Sequence, residues 1–169
     1  LKDSDIMVRK NAAMAIREVA KHTPELAKLI VNSGGAAALV DYICEAQGNN
    51  KLPGIMALGY ISAFSETLAL AVIVSKGVTP LRHALVDERE DHIKAAAAWS
   101  LGQMGRHTPD HARALAETDV MSILLRIAQA SESSDDLKTK SKRALKAIIS
   151  KCTKLEALDA LLKSAPENI

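Results

Sequence analysis

Lys21-His22-Thr23-Pro24-Glu25 (KHTPE) returns as Arg106-His107-Thr108-Pro109-Asp110 (RHTPD). Weaker copies fall between and after them, at Ala63-Phe64-Ser65-Glu66 and Lys151-Cys152-Thr153-Lys154. The equivalent residues Val19, Ile61, Met104 and Ile149 stand 42, 43 and 45 positions apart. A self-similar unit of this length, with no recurrent strand signal, predicts a helical solenoid in which each unit buries its apolar face against its neighbours.

Each unit can be read outward from the repeated string. Ahead of the first copy, Val8, Ala12, Ile16, Val19 and Ala20 recur at helical spacing, with Arg9, Lys10, Arg17 and Lys21 on other faces. The string itself holds a hydroxyl in every copy: Thr23, Ser65, Thr108 and Thr153. A hydroxyl there can accept a hydrogen bond from an orphan N–H and cap the next helix. Pro24 and Pro109 follow at a first helical position, where no N–H is required, and Glu25 or Asp110 complements the positive helix end. The short helix ends at Asn32-Ser33-Gly34-Gly35, echoed by Ser75-Lys76-Gly77, where glycine is expected to take a left-handed turn. Asp119-Val120 replaces that glycine in the third unit, so other turn chemistry is expected there. A middle helix over Gly35–Ala46 and the linker Gln47-Gly48-Asn49-Asn50 complete the unit.

Long helices are therefore expected at Asp5–Lys21, Asn50–Phe64, Asp91–Arg106 and Ser134–Lys151. The chain divides into a leading long helix over 1–22, full three-helix units over 23–64, 65–106 and 107–151, and a trailing short helix over 152–169. Gly59 and Gly102 share the register of Arg17. A mid-helix glycine costs about 1 kcal/mol against alanine, which predicts close backbone approach at both. Pro53 falls in a first turn, where proline is tolerated.

Composition agrees with a close-packed helical array. Of 169 residues, 48% are hydrophobic, yet aromatics supply only 2%, namely Tyr42, Tyr60, Phe64 and Trp99. Alanine and leucine carry the core instead. A net charge of +2 gives no reason to expect a nucleic-acid partner. Cys44 and Cys152 lack metal or redox spacing and read as reduced, partly buried thiols of a cytosolic compartment. No apolar run reaches the roughly 20 residues of a membrane span, and no signal peptide opens the chain. Leu1 is no initiator, so the sequence is expected to belong to a longer protein.

A three-helix unit of this length, with a glycine turn before its middle helix, resembles the armadillo repeat. Longer strings narrow the likeness: Arg9-Lys10-Asn11, Lys21-His22-Thr23-Pro24-Glu25-Leu26, Leu52-Pro53-Gly54-Ile55-Met56, DHIKAAAAW at Asp91–Trp99, and Arg106-His107-Thr108-Pro109 with His111-Ala112-Arg113. In combination they resemble the sperm-associated antigen 6 family, over nearly the whole chain. That resemblance implies an all-α, right-handed armadillo solenoid from the second half of such a protein. It also implies a structural role in the axonemal central apparatus of motile cilia and flagella, with other central-apparatus proteins and microtubules as partners. A cytosolic or nuclear transport adaptor of the same fold is the alternative.

No enzyme, metal or cofactor chemistry is read from the sequence. His107 and His111 stand four apart, but Pro109 between them marks a helix start, so they do not share one helical face as a zinc pair would. His107 shares its column with His22, Phe64 and Cys152, a packing position. There is neither a Gly-x-Ser-x-Gly elbow nor a phosphate-binding loop. The run Lys138, Lys140, Lys142, Arg143, Lys146 and Lys151 has two readings. It is either a solvated face following Asp135 and Asp136 in dipole-favoured order, or a surface for the acidic tails of tubulin.

In nuclear-import armadillo receptors, tryptophan and asparagine four residues apart hold basic peptides. The corresponding pairs here are Met14/Glu18, Met56/Tyr60, Trp99/Gln103 and Ala144/Ile148, and none carries both residues, which disfavours the adaptor. The resemblance nonetheless directs Asn11, Met14, Glu18, Met56, Tyr60, Trp99, Gln103, Lys140 and Arg143 towards a concave groove. Trp99 fits either burial between units or a single anchor. Lys28, Arg113 and Glu117 are expected on the convex short helices. The ends of a solenoid segment lack polar caps, making self-association through them an expectation as well.

Overall fold

The structure, a computed structural model, describes residues 1–152. Ten α-helices follow in order: α1 Ile6–Ala20, α2 Pro24–Asn32, α3 Gly35–Glu45, α4 Leu52–Phe64, α5 Glu66–Val74, α6 Val78–Asp87, α7 Asp91–Gly105, α8 Pro109–Ala116, α9 Val120–Gln129 and α10 Asp135–Ile149. A 3-10 turn over Gly48–Lys51 leads into α4, and no strand occurs among the described residues. The trailing helix expected over 152–169 and the cap expected at Thr153 lie outside the described residues. Asn50 belongs to the 3-10 turn and not to the long helix, its carbonyl accepting from the Tyr42 hydroxyl at 2.5 Å.

The hydroxyl column starts helices as read. Leu26 N–H donates to Thr23 Oγ1 at 3.2 Å, Leu68 N–H to Ser65 Oγ at 3.2 Å, and His111 N–H to Thr108 Oγ1 at 3.4 Å. Each cap satisfies one of the donors a helix start leaves orphaned. Ser134 caps α10 in the same way, accepting from Leu137 N–H at 3.3 Å.

The corners correct the sequence reading in the second unit. Gly34 takes the left-handed turn in the first, with φ 77°. Its counterpart is Lys76, at φ 64°, while Gly77 is right-handed at φ −67°. Gly77 is required for a different reason: a Cβ there would come within 2.9 Å of the Val72 carbonyl oxygen. Its N–H donates to that same oxygen at 3.0 Å, so the helix end must fold back closely onto α5. In the third unit Thr118 makes the corner instead. Its hydroxyl donates to the Leu115 carbonyl at 2.6 Å and accepts from Val120 N–H at 3.3 Å.

The long helices α1, α4, α7 and α10 stack side by side in that order. Bonds between α4 and α7 fix their sense. His92 meets Asn49 near the helix starts, Ser100 Oγ donates to the Ile55 carbonyl at 2.9 Å, and His107 reaches the Ser62 carbonyl near the ends. The sequence offset is 43 to 45 throughout, so the two helices run in the same direction. Core positions form one spine through the stack, including Leu39, Ile43, Leu58, Ile61, Leu101, Met104 and Leu115, each essentially inaccessible. Burying each such side chain contributes roughly 1.5–3 kcal/mol. Between neighbours on both sides, α7 buries all four of Ala95–Ala98.

Burial corrects two expectations. Val8 and Val19 are 47% and 41% exposed, and the residues α1 buries fully are Ala13 and Ala20. Among the described residues nothing packs over that apolar side of α1. Cys44, expected to be partly buried, is exposed, since α3 turns Tyr42 and Ile43 inward and position 44 outward.

Candidate protein-binding groove

The nine groove residues come from the four stacked helices. On α1, Asn11 and Met14 are exposed and Glu18 is half-buried. The Glu18 carboxyl is held below its ordinary range by Lys21 first and Arg17 second, each in contact with it. Met56 and Tyr60 on α4, Trp99 and Gln103 on α7 and Lys140 on α10 are half-buried, and Arg143 is exposed. All nine thus retain contact with solvent.

Close helix approach positions the aromatic pair. Gly59 has no side chain because the Trp99 ring and the Ser100 hydroxyl occupy that space; a Cβ would fall 2.5 Å from Ser100 Oγ. Trp99 is thereby wedged onto α4, edge-on to Tyr60 at 5.1 Å between ring centroids and 68° between planes. Such a pair contributes about 0.5–1.5 kcal/mol beyond its buried area. Gly102 makes the same allowance on the next long-helix contact, with Ala144 in place of the tryptophan. One edge of Trp99 thus packs between units, while the residue as a whole stays only half-buried.

Trp99 also lines a cleft of about 460 Å³ between α7 and α10, with Gln103, Arg106, Lys140 and Arg143 around it. Trp99, Gln103, Lys140 and Arg143 thus come together, with Tyr60 against Trp99. Asn11, Met14, Glu18 and Met56 do not line this cleft. Arg106 does, although its position in the sequence marks only a helix end. Its spacing of three from Gln103 and seven from Trp99 was the available signal, because these residues share a helical face. Lys140 pairs with Asp136 at 2.9 Å. Arg106 donates to the Ala63 carbonyl at 2.9 Å and Arg143 has no hydrogen bond or ion pair, so neither guanidinium has a carboxylate partner among the described residues.

The two histidines serve the junction between units. His107 Nε2 lies 2.6 Å from the Ser62 carbonyl, and His111 Nε2 lies 2.8 Å from the Glu66 carbonyl. A carbonyl oxygen only accepts, so both rings carry their proton on Nε2. His111 Nδ1 then accepts from the Thr108 hydroxyl at 2.6 Å. Burial, above all, holds the His107 imidazole below the ordinary histidine range. No group of three or more His, Cys, Asp or Glu among the described residues could hold a metal ion. No single described helix is long and apolar enough to cross a membrane.

The fold has close counterparts among solved structures. A designed armadillo repeat protein in complex with the peptide (KR)4 matches at TM-score 0.88 and 16% identity, over 97% of this chain and 66% of that one. An identity that low concerns the fold alone, which is an all-α armadillo solenoid. No protein-family model matches the sequence. Sperm-associated antigen 6 of Homo sapiens is 59% identical over 85 residues, and that of Mus musculus is 60% identical over 85 residues. Each match covers 50% of this chain and 17% of the relative's length. Over half of its length the chain is thus similar to sperm-associated antigen 6, and the matched stretch spans only about a sixth of those relatives.

Proposed function

We propose that this chain is a segment of a protein–protein interaction scaffold in the axonemal central apparatus of motile cilia and flagella, where it supports motility. The observation that carries the reading is the solvent-facing row on four stacked long helices, which culminates in the Tyr60–Trp99 pair beside the α7–α10 cleft. Stacked helices hold such a row rigid, and rigidity limits the entropy lost when a partner chain docks. The similarity to sperm-associated antigen 6 over half of the chain supports the axonemal setting. Other central-apparatus proteins, and microtubules reached through the basic residues of α10, are the partners this reading assigns.

The test is co-sedimentation of the full-length protein with polymerised microtubules and central-apparatus extract. Tyr60→Ala with Trp99→Ala should weaken partner retention while helicity is kept, because large rings dominate interface energetics. Wild-type retention of every partner by that double variant would sink the groove reading and turn attention to the convex helices. There Lys28, Arg113 and Glu117 are exposed as expected.

A further inference from the structure

Charge along the long-helix face is uneven, and the unevenness specifies a partner. Helix α4 contributes no charged residue at all over Leu52–Phe64. On α1 the groove carboxylate, Glu18, is already engaged by Lys21 and Arg17. The surplus lies at the α7–α10 end, where Arg106, Lys140 and Arg143 surround the cleft beside Trp99. Among the described residues, Asp136 is the only carboxylate that meets this group, and it is bound to Lys140. The carboxylate of Asp91 sits at the other end of α7, accepting from Ser134 N–H at 2.6 Å, which holds it below the ordinary aspartate range. Two guanidiniums therefore stand beside an exposed indole edge without a counter-charge of their own.

We propose, resting on the reading of this face as a binding groove, that the α4–α7–α10 end receives an acidic partner segment bearing an apolar side chain. The apolar side chain enters the cleft against Trp99, and the flanking carboxylates meet Arg106 and Arg143. Guanidinium forks bind carboxylates in pairs of parallel hydrogen bonds, which supplies direction as well as attraction. Among the described residues a basic segment finds no carboxylate on this row that is not already paired, and it is repelled at the cleft. The assignment is chemical: glutamate- or aspartate-rich sequence interrupted by leucine or a similar side chain.

The experiment titrates the full chain with three short fluorescein-labelled peptides. One has leucines flanked by glutamates, the second has the glutamates replaced by glutamine, and the third alternates lysine and arginine. The acidic peptide should bind, change the emission of Trp99 (the single tryptophan), and weaken as salt rises towards physiological strength. Arg106→Glu with Arg143→Glu should reduce its affinity by about tenfold or more at low salt, with circular dichroism unchanged. Equal binding of the glutamine peptide, or tighter binding of the lysine–arginine peptide, overturns the inference. So does an undiminished affinity in the charge-reversed variant. If no peptide binds while Tyr60→Ala with Trp99→Ala still strips partners from the sedimented complex, the groove reading stands and the acidic assignment falls. If the aromatic variant also keeps its partners, both fall.

Discussion

Gly102→Ala sets two known effects against each other at one site. Alanine is the better helix former by about 1 kcal/mol in a helix interior, so propensity alone predicts stabilisation. Here the new methyl would stand 2.9 Å from both Cα and Cβ of Ala144 on α10. Neither atom is the end of a flexible side chain, so α7 and α10 would have to move apart. Overpacking of this kind costs about 1–3 kcal/mol before the propensity gain is credited, and forced movement between two backbones belongs at the upper end. The expected outcome is a net loss of about 1–2 kcal/mol, or roughly 2–8 °C in melting temperature for a chain of this size. Denaturant unfolding followed by circular dichroism gives the sign directly. Ala15→Gly, at an exposed position within α1, supplies the ordinary cost of a helical glycine for comparison. A Gly102→Ala variant as stable as the parent, or more so, would refute the claim that these two helices meet backbone to backbone.

Two further outcomes can be measured in the same way. The fold opposes protonation of His107, so its contribution is fully present above the unfolded value of about 6.5. It should be lost progressively as pH falls through that value towards the lower folded one. Denaturation at a series of pH values should show that decline, and His107→Gln should flatten it. Lys76→Gly removes a side chain from a left-handed position at φ 64°. It should stabilise the chain by about 0.5–1 kcal/mol, since the relieved strain of about 1–2 kcal/mol exceeds the added freedom of the unfolded glycine. A lowered denaturation midpoint would contradict that accounting.

The features of the fold legible in sequence were those decided within one unit. Thr23, Ser65 and Thr108 cap helices through bonds three residues long, and local spacing suffices to find them. Gly59 and Gly102 announced close approach because a mid-helix glycine has no local justification. Periodicity gave the apolar side of α1 but not its cover, since exposure of Val8 and Val19 depends on what packs beyond them. The left-handed residue was misplaced by one because Gly77 serves a contact with Val72, while Lys76 takes the turn. In the groove, the Trp99–Gln103 pairing carried over from its register, whereas Arg106, legible only as a helix end, joins the same face through its spacing of three from Gln103. The histidine contacts were hidden because the Ser62 and Glu66 carbonyls lie 45 residues earlier in the chain.

Those backbone acceptors lie on one side only. Ser100, Arg106, His107 and His111 all reach back to carbonyls of residues 55–66, each supplied by a segment that leaves the ribosome later. During synthesis residues 55–66 therefore emerge ahead of these four side-chain donors, which arrive only with α7 and the start of α8. Chain elongation itself sets the order in which these bonds become available: the set is complete only once residue 111 has emerged, however soon α4 becomes helical. A pause in translation shortly before α7 would hold the nascent chain with α4 present and the face that α7 covers bare.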